Sequence, residues 1–274
     1  MNGPLIDGRS SRSVDCSDRG LQYGDGLFET IACRDGAPLR LELHLQRLRQ
    51  GCERLRLGFG AFAALATEIA ALAAGPDPCL VKAIVTRGTA TRRGYRPAGD
   101  ERPRRIVSRH EWPQAAAGAG APFRLGLSEV RLGINRLLAG LKHLNRLEQV
   151  LAQQARDPAR DDEVLMLSSA GEVIGGSMSN VFFQDEDGSL VTPTLADCGV
   201  AGVMRRVVLE TAVRHGIAVH ERAVALRELD TVREAFVTNV RYGLQPVQLL
   251  NGRALADDRQ ARRLRGLIDA ARTA

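Results

Sequence analysis

The sequence predicts an α+β protein in two lobes. Three observations lead there. Strand-like and helix-like runs occur in both halves of the 274 residues without strict alternation. One small, unpatterned stretch, "QAAAGAGAP" at 114–122, reads as a linker. No GxGxxG follows a strand, so a doubly wound dinucleotide fold fails its first requirement. The division expected is a smaller N-terminal domain over 1–115, a linker over 116–122 and a larger C-terminal domain over 123–274. Both domains are of ordinary size.

The elements follow in chain order. "LFETIAC" (27–33) alternates like a strand. "LELHLQRLRQGCERLRL" then places Leu41, Leu45, Leu48, Cys52 and Leu55 at helical spacing. "FAALATEIAALAA" (62–74) is a second helix, stopped by Gly75 and Pro76. "CLVKAIVTRG" (79–88) and "RRIVSRH" (104–110) read as strands. In the C-terminal part a helix starts near Asn145, with Leu147, Val150 and Leu151 on one side. Strands are expected at 163–169, 179–184, 234–240 and 245–251. Helices are expected over 201–216, ending at a glycine, and from Asp257 to the end of the chain.

Composition narrows the class. Hydrophobic residues make up 44% and charged residues 26%, the balance of a globular protein with ample core material. No apolar run reaches bilayer-spanning length. The first residues lack the charged-then-apolar pattern of a secretory signal, which points to the cytoplasm. The five cysteines are scattered, odd in number and without a CxxC pair. They read as buried free thiols rather than a disulfide framework or a metal site. The net charge of +6 is spread over arginines along the chain, and only 4% of residues are aromatic, which argues against nucleic acid and suits an anionic small molecule.

Four stretches could carry chemistry. Lys142 stands between Leu141 and His143-Leu144 at a loop-to-helix junction. A surface lysine is the ordinary reading. Partial burial would lower its pKa and let the neutral amine attack a carbonyl. "DRGLQYGDGLFET" (18–30) is either a tight turn into a strand or a pocket wall bearing Tyr23, Asp25, Phe28 and Glu29. In "HLQRL" (44–48), Arg47 flanks the core face of its helix, as a snorkelling side chain or one aimed at an anion. "CGVAGVMRR" (198–206) puts glycines before a helix start, either a plain cap or a phosphate site made of backbone N–H groups.

Taken in order, these stretches resemble a known family. "DRGLQYGDGLFET", "HLQRL", the "RG" of Arg87-Gly88, the "RGY" of Arg93-Gly94-Tyr95, "GLKHLNRLEQVLA", "SNVFF" and "GVAGVMR" together resemble the class IV pyridoxal-phosphate enzymes. That family includes branched-chain and D-amino acid aminotransferases and aminodeoxychorismate lyase. The resemblance runs from about residue 5 to about 250, and "KHLNRLEQVLA" is most similar to the lyase branch. It implies the two-lobed fold of the D-amino acid aminotransferase-like type, with a small α/β N-terminal domain and a C-terminal β-barrel-like domain carrying helices. It implies pyridoxal 5'-phosphate as cofactor, a homodimer with the active site between the lobes near the subunit interface, and a small dicarboxylate substrate. The reaction it implies is elimination of pyruvate from 4-amino-4-deoxychorismate to give 4-aminobenzoate for folate synthesis. A class IV aminotransferase and a non-catalytic cofactor-binding homologue are the alternatives.

Residue by residue, the resemblance makes Lys142 the lysine that holds the cofactor and moves protons. Arg47 and the amides of Val203 and Met204 would hold the cofactor phosphate, with Thr238 and Asn239 beside it. Tyr23, Phe28, Arg87, Arg93 and Tyr95 are the candidate substrate contacts. One position departs from the family. Five residues before Asn180, where a glutamate usually pairs with the cofactor's pyridine nitrogen, this chain has Gly175. Glu172 lies three residues earlier still, and in extended backbone that offset points it to the opposite face.

Overall fold

The computed structural model describes residues 3–90, 92, 94–113, 123–185 and 187–273. The expected linker at 116–122 and the candidate Arg93 lie outside the described residues. The chain divides into two compact units. The first is Met1–Gln114 with Leu141–Asn145, and the second is Ala115–Gly140 with Arg146–Ala274. The segment bearing Lys142 therefore belongs to the first unit, although a single division near residue 120 assigns it to the C-terminal part.

The first unit is a six-stranded sheet with helices. In chain order its elements are β1 (Leu5–Ile6), β2 (Arg9–Ser10), α1 (Arg19–Tyr23), β3 (Gly26–Arg34), β4 (Ala37–Pro38), α2 (Leu41–Leu55), α3 (Phe62–Ala73), β5 (Cys79–Thr86) and β6 (Arg104–Glu111). The strands lie in the order β2-β1-β6-β5-β3-β4, all antiparallel. Period-two alternation sorts their side chains. Leu27, Glu29 and Ile31 of β3 and Val81, Ala83 and Val85 of β5 are buried, while Phe28, Thr30, Lys82 and Ile84 are half-buried on the other face. In α2 the predicted stripe is present, with Leu45, Leu48 and Cys52 buried. Each such leucine contributes roughly 1.5–3 kcal/mol.

The second unit holds β7 (Arg124–Leu132), α4 (Leu147–Ala155), β8 (Glu163–Ser168), β9 (Val173–Gly176), β10 (Asn180–Gln184), β11 (Leu190–Pro193), α5 (Val203–Arg214) and β12 (Val219–Arg222). A short 3-10 turn at Leu226–Asp230 precedes β13 (Ala235–Asn239), β14 (Gly243–Val247), β15 (Leu249–Leu250), β16 (Arg253–Ala254) and α6 (Arg259–Thr273). Two five-stranded sheets form, in the orders β12-β11-β10-β13-β14 and β16-β15-β7-β8-β9. One apolar core lies between them, with Leu125, Leu165 and Val173 from one sheet and Val181, Phe183 and Val237 from the other. A second core packs Met204, Val208 and Ala212 of α5 and Leu264 and Ile268 of α6 against Phe182 and Phe236. The architecture is the α+β class expected. Among the described residues no helix is long and apolar enough to cross a membrane. The five cysteines are unpaired, and all but Cys16 are buried.

Three elements depart from the sequence pattern. β7 has no clean apolar alternation, because Gly126 sits in mid-strand where a Cβ would lie 2.4 Å from the Asp161 carboxylate. The run at 245–251 is two strands rather than one. The chain changes sheets at Gln248, whose N–H donates to the Phe123 carbonyl (3.0 Å) and whose Oε1 accepts from the Phe123 N–H (2.5 Å). The apolar side expected of α4 faces outward. Leu147, Val150 and Leu151 are exposed, and Ala152 is the buried residue of that helix.

Candidate active site

In the first unit the backbone holds Lys142 against β3 rather than at the mouth of α4, which begins only at Leu147. The Phe28 N–H donates to the Lys142 carbonyl (3.0 Å), and the Leu144 N–H donates to the Gly26 carbonyl (3.0 Å). Leu27 and His143 thus form an antiparallel bridge, and Asn145 Nδ2 donates to the Gly24 carbonyl at 3.1 Å. The half-buried lysine places Nζ 4.3 Å from the centre of the Phe28 ring. A second amine shares that ring, with Lys82 Nζ 5.1 Å from the same centre. Sequence reading passed over Lys82. Its signal was a lone charge inside the otherwise apolar run "CLVKAIV".

On the buried face of β3, Glu29 receives two partners from α2. Its carboxylate accepts from Arg47 Nε (2.8 Å) and Nη2 (2.5 Å), and His44 Nδ1 lies 2.6 Å from Oε2. Burial opposes ionisation of Glu29, but the Arg47 charge and the hydrogen bonds from His44 and Arg47 outweigh it. The Glu29 pKa falls to about 2. Burial likewise lowers the His44 pKa against the pull of Glu29, so a neutral His44 donates to an ionised Glu29. Arg47 keeps 15% of its side-chain surface exposed and is oriented by this carboxylate.

The expected substrate contacts sort into two groups. Tyr23 and Tyr95 meet edge to face with centroids 5.5 Å apart. Arg19 holds them, stacking on Tyr23 at 4.9 Å and donating to the carbonyls of Gly94 (2.9 Å) and Tyr95 (2.7 Å). Arg87 turns inward. It donates to both oxygens of Asp25 (2.7 and 3.1 Å) and to the carbonyls of Leu55 (2.9 Å) and Arg56 (2.7 Å). Burial alone would raise the Asp25 pKa, but the hydrogen bonds of Arg87 and Arg19 hold it below the ordinary carboxylate value. The structure thus gives Arg87 a place in the loop framework rather than one pointed outward. Arg19, buried and directly after "SD", was not anticipated.

The second unit gathers Val203, Met204 and Thr238. Gly202 precedes α5 in extended conformation, and no side chain caps the helix. The Gly202 N–H donates to Asn180 Oδ1 (3.1 Å), and Asn180 Nδ2 donates to the Val200 carbonyl (2.9 Å). A Cβ at position 202 would lie 2.1 Å from Asn180 Oδ1, so the approach needs glycine. Asn180 is the cross-strand neighbour of Thr238, and Thr238 is 1% exposed with its Oγ1 unpartnered among the described residues. An uncapped helix start and an orphaned buried hydroxyl are thus linked through one asparagine, a donor set chemically able to receive an oxyanion. Asn239 is occupied otherwise. Its Oδ1 accepts from the N–H groups of Arg241 (2.9 Å) and Tyr242 (2.7 Å), a side-chain turn. Asn180, which links this donor set, stood in the "SN" motif without a role of its own.

Gly175 lies in β9, where a Cβ would be 3.7 Å from the Asn180 Cα. A Cβ there would sit 2.9 Å from the Ser179 carbonyl oxygen, which already accepts from the Gly176 N–H at 2.8 Å. The nearest buried acid is Glu163. It accepts from Ser177 Oγ (2.5 Å), Ser179 Oγ (3.2 Å) and the Met178 N–H (3.1 Å), and burial raises its pKa. It lies on the Gly176 side of β9, 3.1 Å from where a Cβ of residue 176 would be, hence on the face opposite Gly175.

The chain is similar to known proteins over most of its length. A family model described as amino-transferase class IV matches residues 26–250. An aminodeoxychorismate lyase of Vibrio harveyi is 33% identical over 243 residues, 88% of this chain and 89% of its own. The crystal structure of 4-amino-4-deoxychorismate lyase from Pseudomonas aeruginosa matches with a TM-score of 0.90 at 42% identity, covering 97% of this chain and 98% of that one. A putative branched-chain-amino-acid aminotransferase of Methanocaldococcus jannaschii is 28% identical over 258 residues, 93% of this chain and 88% of its own. A family model matched over most of the chain, with a relative 33% identical across 88% of it, leads to one conclusion: this protein belongs to the class IV aminotransferase family of pyridoxal-phosphate enzymes.

Proposed function

We propose that the protein is a 4-amino-4-deoxychorismate lyase, releasing pyruvate and leaving 4-aminobenzoate. The observation that carries this reading is the 42% identity to the Pseudomonas aeruginosa lyase over nearly the whole chain. Thr238 Oγ1 and the amides of Val203 and Met204 are suited to the cofactor phosphate, and the orphaned hydroxyl of Thr238 supports that fit. Within the first unit, Arg47, oriented by Glu29, and Lys142, beside the Phe28 ring, are the residues the family resemblance assigns to the cofactor. The bound cofactor supplies an electron sink at the amine-bearing carbon. The Lys142 amine takes the proton from that carbon. The C–O bond to the enolpyruvyl group breaks, the carbocycle becomes aromatic, and the released enol becomes pyruvate.

The chain works as a homodimer in this reading. Ile134 and Leu137 beside β7, with Leu147, Val150 and Leu151 of α4, leave apolar surface exposed on the second unit that a second copy would cover. The aminotransferase relative supports a second reading, amino-group exchange between an amino acid and a keto acid. One assay separates the two. Purified protein with pyridoxal 5'-phosphate and aminodeoxychorismate is expected to give equal amounts of pyruvate and 4-aminobenzoate, and Lys142→Ala to give neither. Exchange of amino groups without pyruvate release would replace the lyase by an aminotransferase. Absence of both, with cofactor bound, would leave a non-catalytic homologue.

A further inference from the structure

Glu163 stands apart from the residues assigned to the cofactor. It is fully buried, and among the described residues no cation pairs with it. A buried carboxylate without a cation is costly, and only well-made hydrogen bonds keep it. Among the described residues Glu163 accepts five. Its Oε1 accepts from Ser177 Oγ (2.5 Å), the Val164 N–H (2.9 Å) and Gln153 Nε2 (3.3 Å). Its Oε2 accepts from the Met178 N–H (3.1 Å) and Ser179 Oγ (3.2 Å). Ser177, Met178 and Ser179 are the whole turn between β9 and β10.

The glycine ahead of that turn fits the same arrangement. A Cβ at Gly176 would lie 2.2 Å from Ser179 Oγ and 3.1 Å from Cγ and Cδ of Glu163. The run "GSMS" is therefore shaped around this carboxylate. The turn delivers the chain to Asn180, which binds Gly202 and Val200 ahead of α5 and is the strand partner of Thr238. We propose that Glu163 is a positioning residue, fixing the Ser177–Ser179 turn so that Asn180 sets the start of α5 and Thr238 as donors to the cofactor phosphate. The inference rests on the reading that gives Val203, Met204 and Thr238 to that phosphate. Each oxygen of Glu163 faces a backbone N–H, of Val164 on one side and Met178 on the other. A glutamine of the same shape sets its NH2 group against a backbone donor whichever way it turns, so the turn must shift.

The test uses the full-length chain, dialysed free of cofactor and titrated with pyridoxal 5'-phosphate or with pyridoxal, which lacks the phosphate. Absorbance of the bound ring gives the two Kd values, and thermal unfolding followed by circular dichroism checks the fold. Glu163→Gln is expected to weaken pyridoxal 5'-phosphate about 10–100-fold while pyridoxal stays within about threefold of wild type. Ser179→Ala keeps the carboxylate and removes one donor, and is expected to move the same ratio in the same direction by about 2–10-fold. It carries the test if the Gln variant does not fold. Equal weakening of both ligands shows a merely structural role and overturns the proposal. A wild type that prefers the phosphate ester, with that preference unchanged in the variants, removes the proposal and keeps the phosphate reading. A wild type that binds both ligands equally removes the phosphate reading and the proposal with it.

Discussion

Glu29 shows how one buried carboxylate serves two purposes. It fixes the guanidinium of Arg47, and it does so ionised, with its pKa depressed to about 2 from an ordinary 4.5. A depressed carboxylate stabilises the fold fully above its unfolded pKa, and that contribution is lost as pH falls through the window from about 4.5 to 2. Glu29→Gln is therefore expected to cost about 1.5–3 kcal/mol at neutral pH, the worth of hydrogen bonds to a charged group. It should also flatten the loss of stability below pH 4.5, since the residue that titrates is gone. Urea unfolding at pH 7 and pH 3 measures both. An acid limb as steep in the variant as in wild type would assign the acid sensitivity to other carboxylates.

The placement of Lys142 and of the α4 leucines each has a consequence. Lys142 belongs to a strand-like segment bridged to β3, so the sheet rather than the helix sets its amine. α4 carries its leucines outward. An amphipathic pattern tells which residues share a face, but not whether that face meets the protein's own core or another chain. If a second copy covers α4, the double variant Leu147→Asp, Leu151→Asp should shift the protein toward monomer at micromolar concentration. Light scattering coupled to size exclusion reads this directly. A wild type that is already monomeric would leave those leucines without the partner proposed for them.

The balance of reactions belongs to the whole molecule. The resemblance implies a carboxylate on β9 beside the cofactor's pyridine nitrogen, and this chain offers Gly175, with its nearest buried acid, Glu163, on the opposite face. Elimination that ends in an aromatic product needs less stabilisation of charge than transamination does, so the missing acid suits a lyase. Gly175→Glu is expected to raise amino-group exchange more than pyruvate release. It should also cost roughly 1–3 kcal/mol of stability, because the new Cβ crowds the Ser179 carbonyl. A strong gain in lyase rate instead would contradict this account, and parallel assays of both reactions on the variant decide it.

Much of this was legible in the residues themselves. The apolar periods of α2, α3, β3 and β5 follow from local spacing, so their bounds were readable to within a residue or two. The motifs around Lys142, Arg47 and the start of α5 were contiguous and therefore visible. Partnerships made across the sheets were not. Nothing near Arg87 in the chain announces that Asp25 captures it, nor that Asn180 joins Gly202 to Thr238, because those contacts span 62, 22 and 58 positions. Lys82 is the sharpest case. As a letter it is one charge in an apolar run, and only the pairing of β5 with β3 brings it to the ring that Lys142 also reaches. Local pattern therefore set most of the elements, the family and the candidate lysine. Long-range strand pairing decided which side chains are spent on the framework and which keep an unpartnered polar group, as Thr238 does, because that depends on neighbours that only folding brings together.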